Sequence, residues 1–184
     1  MNIPERGPGQ RRIGVAVEVP APYGAQLQEA RARFGDAYAD AIPPHVTLLG
    51  PTVVDEIDVD HVHTHLADVA AQHTPFRLHL RGSATFRPVS PVVFVQVVEG
   101  IVECEALESH VRSGLLHQEL RFNYHPHVTV AHDLDDAALD QAFDEMAGFD
   151  ATFDVAEIVL YLHGDDSVWR PTRRFSLTGE VRTG

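Results

Sequence analysis

One four-residue sequence occurs twice in this chain. Residues 44–47 read Pro-His-Val-Thr, and residues 126–129 read the same. From the composition, roughly 0.005 such copies are expected by chance, so an internal structural repeat is the better explanation. The rest of the chain can be interpreted as support for these two segments.

In an extended strand, side chains two residues apart point to the same face. His45 would therefore share a face with Thr47, and His127 would share one with Thr129. The residues beside them are apolar and would point into a core: Val46, Leu48, Val128 and Val130. Each copy thus predicts a rigid strand that presents an imidazole next to a hydroxyl. The alternative is a purely structural role, in which both segments are half-buried strands and their histidines only form hydrogen bonds within the fold.

The order of the other elements favours two similar α+β halves that face each other. Apolar patterns and the two motifs predict strands at residues 12–19, 41–51, 76–80, 121–132, 153–162 and 175–177, and a nearly continuous apolar run predicts a central strand at residues 92–98. Apolar residues at helical spacing predict four helices, marked by Leu27/Ala30/Phe34, by Val62/Leu66/Val69/Ala70, by Cys104/Leu107/Val111/Leu115 and by Leu139/Ala142/Phe143/Met146. No Gly- or Ser-rich linker divides them. We therefore expect one two-lobed domain over residues 12–184 and a flexible polar leader over residues 1–11, with no apolar signal-peptide core.

Composition removes several kinds of chemistry. All 14 basic residues are arginine, so a lysyl–nucleotidyl intermediate, a Schiff base and a P-loop lysine are all impossible. The net charge of −13 argues against a surface that tracks a long nucleic acid. Cys104 is the one cysteine, which excludes an internal disulfide and predicts a cytoplasmic location. No apolar run approaches the roughly 20 residues that span a bilayer.

Two opposed histidines suit phosphoryl chemistry. Histidine gives or takes a proton near neutral pH, so His45 and His127 could act as base and acid across one phosphorus. Thr47 and Thr129 could donate hydrogen bonds to the phosphoryl oxygens, where charge builds in the transition state. This scheme needs no metal or cofactor.

A metal site is the rival hypothesis. His61, His63 and His65 form a dense run, and His61 and His65 at i, i+4 could clamp an ion on a helix. No recognised zinc pattern completes that run, so an exposed polar helix face is the preferred interpretation. His125 would share the face of His127, whereas a regular strand would point His132 to the opposite face.

These segments resemble the two-histidine phosphoesterases, which include the bacterial 2′-5′ RNA ligase-like proteins and the cyclic phosphodiesterases of RNA processing. The similarity covers most of the chain. Besides the paired His-x-Thr strands, it is carried by residues 86–88 and 92–95, by residues 124–130, and by residues 158–162, 169 and 175–177. The resemblance implies a bilobal α+β fold with an antiparallel sheet in each lobe and the active site in the cleft between them. It also implies that His45 and His127 are catalytic and that Thr47 and Thr129 hold the phosphate.

The family resemblance also bears on substrate contacts, and the sequence departs from the family pattern at one position. Tyr124 and Trp169 could stack on a base or could equally be core residues, and His125 could contact the substrate or support the second motif. Bacterial relatives often carry arginine shortly after the second motif, where this chain has His132.

The hypothesis is a metal-independent phosphodiesterase for 2′,3′-cyclic or 2′-5′-linked nucleotides or RNA ends. Because an ATP-driven ligase of the usual kind needs a lysine, any ligation would be the weak reversal of cyclic-phosphate opening. We expect a monomer that binds a nucleotide or an RNA end and no membrane. The alternatives are a non-catalytic nucleotide- or RNA-binding module of the same fold and a metal-dependent hydrolase that uses His61 and His65.

Overall fold

The computed structural model describes residues 3–180, which contain eight strands and four α-helices. The elements in chain order are β1 (Gln10–Glu18), α1 (Tyr23–Phe34), β2 (His45–Asp55), α2 (Val59–Gln72), β3 (Phe76–Thr85), β4 (Val92–Glu99), α3 (Ile101–Val111), β5 (His127–His132), α4 (Asp136–Met146), β6 (Asp150–Val155), β7 (Glu157–His163) and β8 (Trp169–Ser176).

The strands form two antiparallel sheets of four strands each. Their orders are β2-β1-β7-β8 and β5-β4-β3-β6, so each motif strand lies at the edge of its own sheet. The long apolar strand β4 lies inside its sheet, as its sequence predicts. The bilobal α+β architecture with one antiparallel sheet per lobe is thereby confirmed.

Two helices cross from one lobe to the other. Helix α1 follows a strand of the first sheet but packs on β5 and α4, beside the second sheet. Helix α3 follows a strand of the second sheet but packs on β2 and α2. The motif strands β2 and β5 also contact each other. The crossing therefore places a helix from each half of the chain against the motif strand of the other half.

Local sequence explains the helix boundaries. Helix α1 ends at Gly35, whose φ of 85° is the left-handed conformation that glycine adopts most easily. Helix α4 begins after Asp135, whose carboxylate accepts the backbone N–H of Ala138 at 2.8 Å. Helix α2 buries Val62, Leu66, Val69 and Ala70, the stripe that its periodicity predicts.

Five details of the sequence prediction are wrong. The second motif strand begins at His127 instead of at residue 121. The predicted strand 153–162 is two strands, β6 and β7, that belong to different sheets. Leu115 lies beyond α3 and is 47% exposed, while its neighbour Leu116 is buried. Strand β3 continues past Gly82, where a positive φ and a register shift absorb the predicted break. The last strand, β8, is eight residues long instead of three.

The N-terminal segment is only partly described, since residues 1 and 2 of the expected leader lie outside the described residues. Within residues 3–12, Arg6 forms an ion pair with Asp165, and Arg12 Nε donates to the carbonyl of Pro4 at 2.8 Å. These contacts hold the segment near the loop between β7 and β8. Separately, none of the helices in residues 3–180 has the length and apolar character needed to span a bilayer.

Candidate active site

Both motif strands carry a bulge directly after the threonine. In the β1–β2 pairing, Ala16 faces Thr47 but Val15 faces Leu49, so Leu48 is an extra residue. In the β4–β5 pairing, Val130 is extra in the same way. Two consecutive residues are therefore buried after each threonine: Leu48 and Leu49 in β2, and Val130 and Ala131 in β5. The structural repeat thus extends beyond the four identical residues.

The bulge corrects the placement expected for His132. In a regular strand this residue would point away from His127, but the extra residue in β5 restores it to the same side. The side chain of His132 consequently lines the same cavity as His127 and Thr129.

The two motif strands meet at one cavity of about 280 Å³. His45, Thr47, His127 and Thr129 all line it. The structure therefore brings together the four residues that the repeat predicts, two from each lobe. The other residues that line the cavity are Arg31, Tyr38, Ile42, Phe86, Ser90, Val92 and His132.

A backbone carbonyl fixes the ring of His45. Its Nδ1 lies 2.8 Å from the carbonyl oxygen of Pro43, and because a carbonyl only accepts, Nδ1 must carry the proton. In the neutral ring, Nε2 is then the basic nitrogen. It lies 3.1 Å from Oγ1 of Thr47, whose hydroxyl can donate to it.

His127 is held by the same device in different surroundings. Its Nδ1 donates to the carbonyl oxygen of His125 at 2.7 Å, so its Nε2 is also the basic atom of the neutral ring. The imidazole packs against a pair of aromatic rings that also contact each other, with its centroid 5.0 Å from Phe86 and 5.0 Å from Phe94. The ring of His125 stacks against it at 6.2 Å.

Burial lowers the pKa of both histidines. For His45 the pKa falls to about 4, mainly because the ring is desolvated, with further lowering by the charges of Arg31 and His127. The pKa of His127 is lowered by desolvation and then by the charge of His125. In each case the carbonyl that accepts from Nδ1 opposes the shift. Both rings are therefore neutral at pH 7 when no anion is bound between them.

Comparison with known proteins identifies the family. The family model described as the 2′-5′ RNA ligase superfamily matches residues 19–167, which include both motifs. The chain belongs to this superfamily. A protein of Bacillus cytotoxicus named "Putative phosphoesterase" is 34% identical over 126 residues, which are 68% of this chain and 72% of that protein. A Bacillus mycoides protein that is also named "Putative phosphoesterase" is 32% identical over 126 residues, with the same coverage of both chains. The membership and these names support a phosphodiesterase-type function.

Solved structures of the superfamily share the fold. Escherichia coli LigT complexed with NADP+ superposes with a TM-score of 0.67 at 20% identity, covering 92% of this chain and 99% of LigT. The same protein complexed with 3′-AMP gives a TM-score of 0.66 at 20% identity, with the same coverage. A protein of Thermus thermophilus gives a TM-score of 0.63 at 22% identity, covering 92% of this chain and all of that one.

A wider apolar cleft of about 720 Å³ adjoins the cavity between the two motifs. Phe86 and His127 line both spaces. Tyr124 and His125, predicted as substrate contacts, line the cleft. The hydroxyl of Tyr124 donates to the backbone carbonyl of Thr47 at 2.9 Å, so Tyr124 fastens the second motif segment to the first motif strand.

Trp169 occupies a different place. It is only 6% exposed and packs in a small cluster with Tyr161 and Ile42, and its ring meets His163 edge-on at 4.8 Å. It reaches a narrow pocket beside His45 but does not line the cavity between the two motifs.

The rival histidine run does not form a cluster. His61 contacts Asp58, His63 contacts Asp60, and His65 bonds to the carbonyl of Val111 at 3.0 Å. No group of three or more potential metal-binding side chains occurs within residues 3–180.

Sequence reasoning missed Arg31. It lies on α1, is 4% exposed and lines the cavity of the four motif residues. The available signal was its position four residues after Leu27, which places a charged side chain on the apolar face of the helix.

Proposed function

We propose that this protein is a metal-independent phosphodiesterase that acts on 2′,3′-cyclic phosphates or 2′-5′-linked nucleotides or RNA ends. One observation carries the proposal. Two imidazoles with the same tautomer, one from each lobe, line a single cavity with two threonine hydroxyls. Such a set supplies a base, an acid and two neutral donors to one phosphoryl group.

The reaction follows from these roles. One Nε2 accepts a proton from water as the water oxygen forms a bond to phosphorus. The Nε2 of the other, protonated histidine gives its proton to the leaving ribose oxygen as the P–O bond breaks. Thr47 and Thr129 donate to the non-bridging oxygens while their charge increases. A 2′,3′-cyclic phosphate would open to a phosphomonoester and a free hydroxyl.

The lowered pKa values of His45 and His127 fit an enzyme in which one of the two rings becomes protonated when the substrate binds. Without an anion both rings are neutral, and a proton on either is disfavoured by burial. A phosphodiester monoanion bound between them favours the protonated form of either ring. Binding of the anion would therefore raise the pKa of the two rings, and one of them would take up its proton from solvent.

Hydrolysis should dominate over ligation. The chain has no lysine to form an adenylate, so joining ends would require the free hydroxyl to reverse the ring opening in ~55 M water. The cavity volume and the net charge of −13 favour a nucleotide or an RNA end over a long tract. The LigT complexes with 3′-AMP and NADP+ support a nucleotide as the ligand class.

The test is a panel of 2′,3′-cyclic mononucleotides and of 2′-5′ and 3′-5′ dinucleotides, with products assigned by mass spectrometry. We expect turnover of at least one cyclic or 2′-5′ substrate, and a rate lowered by at least roughly 10²-fold in the double variant His45→Ala/His127→Ala. Saturable binding without turnover across the whole panel would favour the non-catalytic module.

Chelation tests metal independence. We expect the rate on a 2′,3′-cyclic substrate to stay within about twofold in excess EDTA, because side chains supply all the proposed roles. A rate that is lost in EDTA and restored only by zinc or manganese would favour the metal-dependent hydrolase. The variant His61→Ala/His65→Ala is the matched control and should retain full activity.

A further inference from the structure

We propose that Arg31 is the phosphate-binding cation of this cavity, with two guanidinium N–H groups that hold non-bridging phosphoryl oxygens. The inference rests on the proposed function and adds a residue that lies outside both motifs. It also assigns α1, which crosses between the lobes, a direct part in substrate binding.

The guanidinium is rigidly held and still has donors to offer. Its Nε and Nη2 donate to Oδ2 of Asp36 at 3.2 and 3.1 Å, and its Nη1 donates to the carbonyl of Ile42 at 3.2 Å. A guanidinium has five N–H groups, so one on each Nη atom is left for a ligand. Because the fork is already ordered, binding an anion costs little additional side-chain entropy.

The arrangement directs the positive end of the ion pair to the cavity. Arg31 lines the cavity, whereas the Asp36 side chain is 0% exposed and lies behind the guanidinium. Asp36 is held there by a further bond, which its Oδ1 accepts from the backbone N–H of Tyr38 at 2.8 Å. An anion in the cavity would therefore meet the cation before its counter-ion.

The field of Arg31 reaches both lobes. Its charge contributes to the lowered pKa of His45 on β2 and of His132 on β5, after the larger effect of burial in each case. A charge felt on both motif strands lies close to where a phosphate between them would bind.

The other arginines near the site are engaged elsewhere. Arg87 pairs with Asp136 and Asp140, and Arg112 pairs with Glu108 and lines only the neighbouring cleft. Among the described residues 3–180, Arg31 is thus the arginine that lines the catalytic cavity. In a chain with a net charge of −13, a local cation is what makes an anion site favourable.

The experiment measures the affinity for inorganic phosphate by calorimetry and by inhibition of cyclic-substrate hydrolysis. We expect Arg31→Met to weaken phosphate binding by roughly 10- to 100-fold, the worth of a lost charge-assisted hydrogen bond. Arg33→Met is the matched control, since Arg33 lies on the same helix but pairs with Glu145 at the surface. It should change the affinity less than twofold.

Asp36→Asn separates binding from mere support of the fold. It keeps the cation and removes its counter-charge, so phosphate should bind as tightly as in the parent protein or more tightly. If Arg31 only fastened the loop before β2, Asp36→Asn and Arg31→Met would weaken phosphate binding alike. That outcome, or an unchanged affinity in folded Arg31→Met, would overturn the inference.

A second measurement does not depend on how the variants fold. In a crystal structure of the parent protein with inorganic phosphate, we expect phosphate oxygens at about 3 Å from the Nη atoms of Arg31. Phosphate bound only by the motif residues, or absent from the cavity, would overturn the inference.

The two proposals fail separately. A parent protein that hydrolyses cyclic substrate while Arg31→Met keeps its phosphate affinity refutes the role of Arg31 alone. A parent protein with no turnover, whose phosphate affinity nevertheless depends on Arg31, supports the anion site and refutes the proposed reaction.

Discussion

The two motif strands are alike in their backbones and unlike in their surroundings. Both lie at a sheet edge, both carry the bulge after the threonine, and both fix Nδ1 of the histidine with a carbonyl two residues earlier. His45 lies beside the buried ion pair of Arg31 and Asp36. His127 instead lies among the rings of Phe86, Phe94 and His125.

The two surroundings come from different parts of the chain. Helix α1 buries Arg31, which donates to the carbonyl of Ile42 just before β2. The aromatic rings come instead from Phe86 just after β3, from Phe94 on β4 and from His125 just before β5. One framework thus supplies two imidazoles in the same tautomer, one beside a buried cation from α1 and the other beside aromatic rings.

The largest effect should come from the histidines. We expect His45→Ala and His127→Ala each to lower kcat by roughly 10²- to 10⁴-fold, the worth of a positioned acid or base. The double variant should be little worse than either single one if both act in one transition state. Steady-state kinetics on a 2′,3′-cyclic substrate measures this.

Thermal unfolding of the same variants is the control. The valine neighbours Val46 and Val128 are fully buried and carry the packing, so the melting temperatures should change little. Full activity in either variant, or activity lost only through unfolding, would mean that the repeated motif has a structural role and not a catalytic one.

The threonines should matter less and unequally. We expect losses of roughly 10- to 100-fold, at or below the lower end for a removed oxyanion donor. Thr47→Ala should cost more than Thr129→Ala, because the hydroxyl of Thr47 also contacts Nε2 of His45 at 3.1 Å. Valine variants of both positions give the matched isosteric comparison. A larger loss from Thr129→Ala would reverse the proposed difference between the two strands.

Much of the fold and the centre of the site could be predicted from sequence because both depend on local periodicity. The period of two in each motif put His45 beside Thr47, and helical spacing found the apolar stripe of α2. The bulge that turns His132 inward depends on pairing with β4, which no local pattern encodes. Arg31 was missed although its position on the apolar face of α1 gave a local signal, because no local pattern shows that α1 packs against β5 and so brings Arg31 to the cavity.

The pH dependence should reveal the lowered pKa values. We expect kcat/KM to follow a bell with its maximum below pH 6.5, because one ring must be neutral, one must be protonated, and both pKa values are lowered. The profile of kcat should lie at higher pH, since the bound phosphate monoanion favours the protonated rings. A kcat/KM maximum above pH 8 would contradict the burial argument. NMR titration of the imidazoles with and without phosphate gives an independent measurement.

The smallest predicted effect is on acid stability. The pKa of His45 is about 4 in the folded protein, against an ordinary value of 6.5. Folding therefore disfavours its protonated form, so the stability is complete above pH 6.5 and falls as the pH drops toward 4. The maximal loss of stability is about 3 kcal/mol from the shift of the pKa, and less because water reaches the cavity.

The variant His45→Ala lacks this pH-dependent contribution to stability. Its unfolding temperature should fall less between pH 7 and pH 4.5 than that of the parent protein. Carboxylate protonation acts equally on both proteins and cancels in the comparison, while His127→Ala should show the same sign. If the unfolding temperature of His45→Ala fell as much as that of the parent protein, His45 would be well hydrated in the folded state. The difference between the cationic and aromatic sides of the cavity would then rest only on the positions of the side chains.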